Sequence, residues 1–270
     1  MTNSPGSSGE GSLHTTTQPR VNVLGVGVSA INLPQAIEGV DQIIQSGQRN
    51  YVCVAAAHSI MDCRRDRTLR RIFNEAGMVT PDGMSLVWYL RRRGHRHVGR
   101  VYGPDLLSSM CQRSMERGHR ICFYGGSEQT LDALKARLLG RYPSLQVAEA
   151  IAPPFRPLTA GEQAEIVERI NQARPDIVWV GIGSPRQERW IAEHRDKLEA
   201  AVLIGVGAAF DFLSGNKPQA PRWIQRSGLE WLFRLASEPR RLWRRYAEYP
   251  LFLALLLAQS AGVKRYDLED

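Results

Sequence analysis

Short apolar runs alternate with stretches of helical period along most of this chain. Val21–Leu24, Tyr51–Ala55, Arg120–Tyr124, Leu145–Val147, Ile177–Val180 and Val202–Ile204 show little of the polar alternation of a half-exposed strand, which marks strands covered on both faces. Between them, Pro104–Arg117 places Leu106, Leu107, Met110, Cys111 and Ser114 on one helical face, and Thr159–Ala173 turns Ile166, Val167 and Ile170 inward. Thr159 and Glu162 have capping-box spacing at the start of the second helix. This alternation predicts an α/β fold, a mostly parallel Rossmann-like sheet flanked by helices, with ligands at the carboxyl ends of its strands.

After Gly215 no further strand is apparent. Pro218 to Tyr249 is rich in Trp, Arg and Leu and reads as two or three short helices. Between Pro239 and Pro250, Arg240, Arg241, Arg244 and Arg245 share one helical face, and Leu242, Trp243, Tyr246 and Tyr249 the other. The expected organisation is a disordered tail over 1–18, an α/β domain over 19–215 and a helical C-terminal appendage over 216–270. The tail is rich in Ser, Thr and Gly and lacks the apolar stretch of a signal peptide.

The 270 residues are 43% hydrophobic and 23% charged, which excludes a fibrous or wholly disordered chain. Thirty-five Lys and Arg against 27 Asp and Glu give a net charge of +8, and Arg222–Tyr246 alone holds seven Arg and two Glu. That excess favours an acidic partner: nucleic acid, an anionic membrane face or a phosphorylated substrate. The longest apolar run, Leu251–Ala258, falls far short of the roughly 20 residues of a membrane-spanning helix. Cys53, Cys63, Cys111 and Cys122 form no C-x-x-C pair, so neither a disulfide framework nor a zinc site is expected, and a reducing compartment is.

Three expected strands end in glycine-rich turns: Tyr124-Gly125-Gly126-Ser127, Gly181-Ile182-Gly183-Ser184-Pro185-Arg186-Gln187-Glu188, and Gly205-Val206-Gly207-Ala208-Ala209-Phe210-Asp211. Glycine lets the backbone approach a phosphate, and helix-start N–H groups attract anions. Any one of these turns is ordinary α/β chemistry; three at one sheet edge suit a nucleotide or nucleotide sugar. A fourth, Gly25-Val26-Gly27-Val28-Ser29-Ala30, resembles a dinucleotide fingerprint only loosely, because no acidic residue ends the next strand to bind a ribose.

Thr80-Pro81-Asp82-Gly83-Met84 reads as a helix start, with Thr80 as N-cap and Pro81 in first position. Asp82 is then either a carboxylate serving the helix dipole or a base at the sheet edge. Ser184-Pro185-Arg186-Gln187 has the same form, with Gln187 completing a capping box. Asp211, between Phe210 and Phe212, calls for a partner: an Arg or a substrate hydroxyl in a site, or a buried pair that is purely structural. The run Arg91-Arg92-Arg93-Gly94-His95-Arg96-His97 is a solvated face or a patch for acidic lipid. There is no D-x-D, no His/Cys/Glu cluster with metal spacing and no G-x-S-x-G.

The blocks Glu75–Met84, Arg100–Leu106, Tyr124–Gly126, Gly181–Glu188, Gly205–Asp211 and Leu229–Leu235 with Glu238–Arg241, in that order, resemble the WecG/TagA/CpsF family of bacterial glycosyltransferases. The resemblance implies an inverting, metal-independent enzyme without a cofactor. Such an enzyme moves a sugar from a UDP donor to a polyprenyl-diphosphate-linked saccharide at the cytoplasmic membrane face, where the appendage would meet anionic lipid. It implies Asp82 as general base, with Arg100, Gln187 and Arg234 as further catalytic residues and Arg234 reaching the diphosphate. Gly125, Gly126, Gly183, Gln187, Gly205, Gly207, Phe210 and Asp211 would surround the donor, and His58 and Tyr102 the acceptor. Many family members carry Thr and Asn where Val54 and Ala56 stand here, which removes a hydroxyl and an amide from the acceptor pocket. Other readings are a non-catalytic nucleotide-sugar sensor and a nucleic-acid-binding protein. The latter has the charge but no helix-turn-helix, RNP or zinc pattern, so nucleic acid is not expected as a partner. A homo-oligomer is compatible with the sequence.

Overall fold

A computed structural model describes residues 18–268; all but the last residue of the expected 1–18 tail lies outside them. The elements run β1 (Arg20–Val23), β2 (Val26–Ser29), α1 (Leu33–Gln45), β3 (Asn50–Ala55), α2 (Ala57–Arg65), α3 (Arg67–Glu75), β4 (Met78–Pro81), α4 (Met84–Arg92), α5 (Gly103–Arg117), β5 (Arg120–Gly125) and α6 (Glu128–Arg141). They continue with β6 (Gln146–Ile151), α7 (Ala160–Ala173), β7 (Ile177–Gly181), α8 (Arg186–His194), β8 (Val202–Gly205), α9 (Ala209–Ser214), α10 (Arg222–Arg226), α11 (Glu230–Ser237), α12 (Pro239–Tyr246) and α13 (Tyr249–Ser260).

Six strands form a parallel sheet in the order β4-β3-β8-β7-β5-β6. The chain leaves β5 toward β6 and leaves β7 toward β8, so these neighbours diverge. The crevice that such a divergence opens at the carboxyl ends of strands is where α/β sheets bind ligands. Helices cover both faces, and two clusters fill the layers. One contains Cys53, Tyr124, Val178 and Val180; the other contains Val52, Phe123, Trp179 and Ile204. All four cysteines are free and buried among these side chains.

Three readings of the sequence are corrected. Val21–Leu24 does not join the main sheet: β1 pairs antiparallel with β2 in a separate hairpin turning at Leu24 and Gly25, so the loose glycine fingerprint is a hairpin turn and strand. Thr80 and Pro81 do not start a helix. They end β4, an edge strand, where the missing N–H of proline is tolerated, and α4 starts after Gly83. Ser184 and Gln187 form no capping box; α8 has Pro185 as its N-cap without a side-chain cap. The Thr159–Glu162 box forms as expected, with Glu162 returning to the Thr159 N–H at 2.8 Å.

The C-terminal helices lie against the sheet domain. Arg222 makes a bidentate pair with Asp105 of α5 at 2.7 and 3.0 Å, Lys217 bridges Asp211 and Glu238, and Arg65 of α2 pairs with Glu248. Phe252 and Leu256 of α13 are buried in the core, so Leu251–Leu257 does not present one continuous apolar face outward; Leu251, Leu253 and Leu257 remain exposed. Among the described residues no helix is long and apolar enough to cross a membrane.

Candidate active site

The three glycine turns converge at the carboxyl ends of β5, β7 and β8. Gly125 pairs with Gly181 across adjacent strands, and a Cβ on Gly125 would lie 2.6 Å from the Gly181 carbonyl, at a φ of +127° that disfavours a side chain. Gly181 in turn faces the ring of Phe210, which packs edge-to-face on Phe123. The glycines let β5, β7 and α9 close together with no side chain between them. Above them opens a cleft of about 920 Å³ lined by Gly126, Gly181, Gly183, Gly207, Phe210 and Asp211, a size suited to a nucleotide sugar.

Asp82 reaches the same cleft from the other side, at the end of β4. With His58, Arg234 and Arg245 it also lines a smaller adjoining cavity of about 80 Å³, which is bounded by Trp231, Tyr246 and Tyr249 of the C-terminal helices. Asp82 is pinned by Arg100, whose Nη2 donates to Oδ1 at 3.1 Å and whose Nε donates to the Asp82 carbonyl. The Asp82 side chain is 19% exposed. Burial pushes its carboxyl up to about 6, against the opposing pull of Arg100. A carboxylate held near neutrality is a workable proton acceptor. Asp82 stands one residue before Gly83, the N-cap of α4, and lines the cleft.

His58, at the start of α2, lines both cavities; burial and the nearby Arg245 and Arg234 hold its imidazole well below its usual range, so it is neutral. Tyr102 lies under the Arg100 guanidinium, 4.1 Å from its ring centroid, and lines the cleft. Val54 and Ala56 line it too, so both border the pocket that holds Asp82.

Gln187 is buried, and both ends of its amide are engaged. Oε1 accepts from the Gly207 N–H at 2.9 Å, and Nε2 donates to Glu188 Oε1 at 3.0 Å. Its side chain therefore fixes the turn after β8, and a Cβ on Gly205 would press against its amide at 3.0 Å. Asp211 is one-third exposed rather than enclosed by its two phenylalanines, and its partner is Lys217 at 3.1 Å, neither an arginine nor an orphan.

Arg234 projects from α11 over the Phe212 ring and has no carboxylate within ion-pair distance among the described residues. Arg245, which helical periodicity placed on the outer basic face, turns inward instead: it donates to the Ser184 carbonyl at 3.1 Å and lines both cavities. Tyr246 also lines the pocket rather than an outer surface, while Leu242 is buried and Trp243 is 54% exposed. Arg245 is legible in the sequence only as part of a basic helical face, and Glu230, which meets Arg100 at 2.6 Å, only as a member of the Leu229–Leu235 block. Among the described residues no cluster of three His, Cys, Asp or Glu is placed to hold a metal ion.

A family model described as the glycosyl transferase WecG/TagA/CpsF family matches residues 21–266. Among curated relatives, an N-acetylglucosaminyldiphosphoundecaprenol N-acetyl-beta-D-mannosaminyltransferase of Bacillus subtilis (strain 168) is 28% identical over 75% of this chain and 77% of its own. A protein of the same name from Bacillus spizizenii is 30% identical over 72% and 73%. Another of that name, from Staphylococcus aureus (strain MW2), is 23% identical over 91% and 95%.

Proposed function

The chain belongs to the WecG/TagA/CpsF family and is a glycosyltransferase; on that premise we propose that it moves a sugar from a UDP donor, with inversion, to a polyprenyl-diphosphate-linked saccharide. The relatives' names point to N-acetylmannosamine as the sugar and N-acetylglucosaminyl-diphosphoundecaprenol as the acceptor. A hexose such as glucose is the alternative donor sugar. The observation that carries the reading is that Asp82 shares one cleft with all three glycine turns.

In this reaction the glycine turns hold the UDP diphosphate through backbone N–H groups, and Arg234 and Arg245 face it. The Asp82 carboxylate accepts the proton of the acceptor hydroxyl as that oxygen attacks the anomeric carbon. The bond from that carbon to the diphosphate oxygen breaks, and UDP leaves with the electron pair. Attack and departure on opposite faces invert the anomeric centre. The departing charge is met by guanidinium groups, whose fork matches phosphate oxygens. Gln187 acts by holding Gly207, and His58 and Tyr102 border the acceptor side.

The C-terminal helices, from about residue 216, are proposed as the membrane-facing part of the protein, at the cytoplasmic face. Trp223, Leu229, Leu232, Trp243, Leu251 and Leu257 are exposed there. Arg240 and Arg244 are exposed with them, the combination that seats a peripheral protein on anionic lipid. Trp88 of α4, 49% exposed, rests against Gly228, and the Arg91–His97 run that follows it extends this surface onto the sheet domain.

A panel of UDP-sugars tested by thermal shift, followed by transfer to N-acetylglucosaminyl-diphosphoundecaprenol, tests the reading. Stabilisation by UDP-N-acetylmannosamine or UDP-glucose together with product formation is expected. Stabilisation without transfer to any lipid-linked acceptor would favour the sensor reading.

A further inference from the structure

Glu230 opens α11, yet its carboxylate reaches Arg100, the partner of Asp82 in the loop before α5. Its Oε2 lies 2.6 Å from Arg100 Nη2, and that same nitrogen lies 3.1 Å from Asp82 Oδ1. One guanidinium is thus shared by two carboxylates, one on the sheet and one on the C-terminal helices. The three side chains are all at least four-fifths covered, so solvent screens them weakly.

We propose that Glu230 is a positioning residue for the transfer step: it holds Arg100 in place and takes part of its charge, so that Asp82 is oriented by the arginine without being disabled as a base. The inference rests on Asp82 being the base. A carboxylate that owns an arginine outright is a poor proton acceptor, since an opposite charge within about 4–6 Å holds it ionised. A second carboxylate on the same Nη2 offsets that hold. Glu230 acts on Asp82 in this direction, raising its proton affinity while Arg100 and Arg234 lower it. The other titratable groups around the cluster are Tyr102 before α5, Arg234 on α11, Arg245 and Tyr246 on α12, Glu248 and Tyr249 at the start of α13, and the neutral His58 on α2. None of them bridges to Asp82 through the same guanidinium. The C-terminal helices therefore supply more than a wall: they complete the charge balance of the base.

The test is a carboxyl-carbon NMR titration of Asp82 in the full-length, substrate-free protein, comparing wild type, Glu230→Gln and Glu230→Asp. Gln keeps a hydrogen-bond acceptor for Arg100 and removes the charge. The Asp82 midpoint is expected to fall by about one pH unit in Glu230→Gln and to stay near that of the wild type in Glu230→Asp. The acid limb of transfer should move with it, with kcat lowered and donor KM little changed. Coincident Asp82 titrations in wild type and Glu230→Gln, or an equal shift in Glu230→Asp, would overturn the proposal. Because the titration needs no turnover, its failure is distinct from finding that Asp82 is not the base, which would show as full transfer by Asp82→Asn.

Discussion

Replacing Gly181 with alanine probes whether the glycine turns build the donor site. A Cβ at this position would lie 2.6, 2.7 and 3.0 Å from Cδ2, Cε2 and Cγ of Phe210. Contacts under 3 Å against a ring cannot be relieved by a rotamer change here, because Phe210 is 1% exposed and locked edge-to-face against the fully buried Phe123. Gly181 does not have a positive φ, so the effect is steric rather than conformational. Overpacking of this kind costs about 1–3 kcal/mol, which for a domain of this size lowers the melting temperature by roughly 2–12 °C. The displaced ring carries Gly207 and Asp211 with it, so UDP affinity should fall several-fold. Differential scanning fluorimetry with a UDP titration reads both. Two controls separate packing from chain entropy. Gly140→Ala, in the last turn of α6 with open space around it, should stabilise slightly, and adding Phe210→Leu to Gly181→Ala should restore part of the loss. A Gly181→Ala protein with wild-type melting and UDP affinity would refute the packing argument.

Other outcomes follow from the same geometry. With Asp82 titrating at about 6, about one tenth is ionised at pH 5 and nine tenths at pH 7, so kcat/KM should fall about tenfold between them; a flat profile would contradict it. A carboxyl raised on folding contributes stability below its unfolded value of 3.8 that is lost as pH rises through about 6, so Asp82→Asn should melt higher than wild type at pH 7 and match it at pH 3.5. Arg234→Ala should lower kcat by about 10²–10³, the cost of one preorganised donor to a developing anion, with partial recovery in Arg234→Lys. Substituting both Arg240 and Arg244 with Gln should weaken sedimentation with anionic vesicles about 30-fold, at about 1 kcal/mol per charge, and leave neutral vesicles unaffected. Equal binding of the wild type to both would remove the electrostatic part of the membrane reading.

The central strands and their glycine turns are legible in the sequence because β3, β5, β7 and β8 are covered on both faces and end where backbones must touch. β4 is not legible, since Thr80 and Pro81 carry a strong local helix-start signal that only their place at the sheet edge overrides. The β1–β2 hairpin has the apolar content of a central strand but pairs only with itself. Asp82, Arg100 and Arg234 each emerge from a block of residues; the sharing of Arg100 between Asp82 and Glu230 does not. Arg100 and Glu230 are 130 positions apart, and no spacing rule joins the loop before α5 to a helix of the C-terminal region. Arg245 misleads by its periodicity, because α12 lies between solvent and pocket and uses both faces. Gln187 is legible as a turn residue and not as the clasp on Gly207, which depends on two adjacent strands.

The account stands on Asp82 as the acceptor of the hydroxyl proton in a cleft shared with the donor turns. Single-turnover transfer by Asp82→Asn, in a protein shown by thermal shift to bind UDP as wild type does, measures this directly. A loss of about 10²–10⁴ is expected for removal of a general base; transfer within a few-fold of wild type would contradict it.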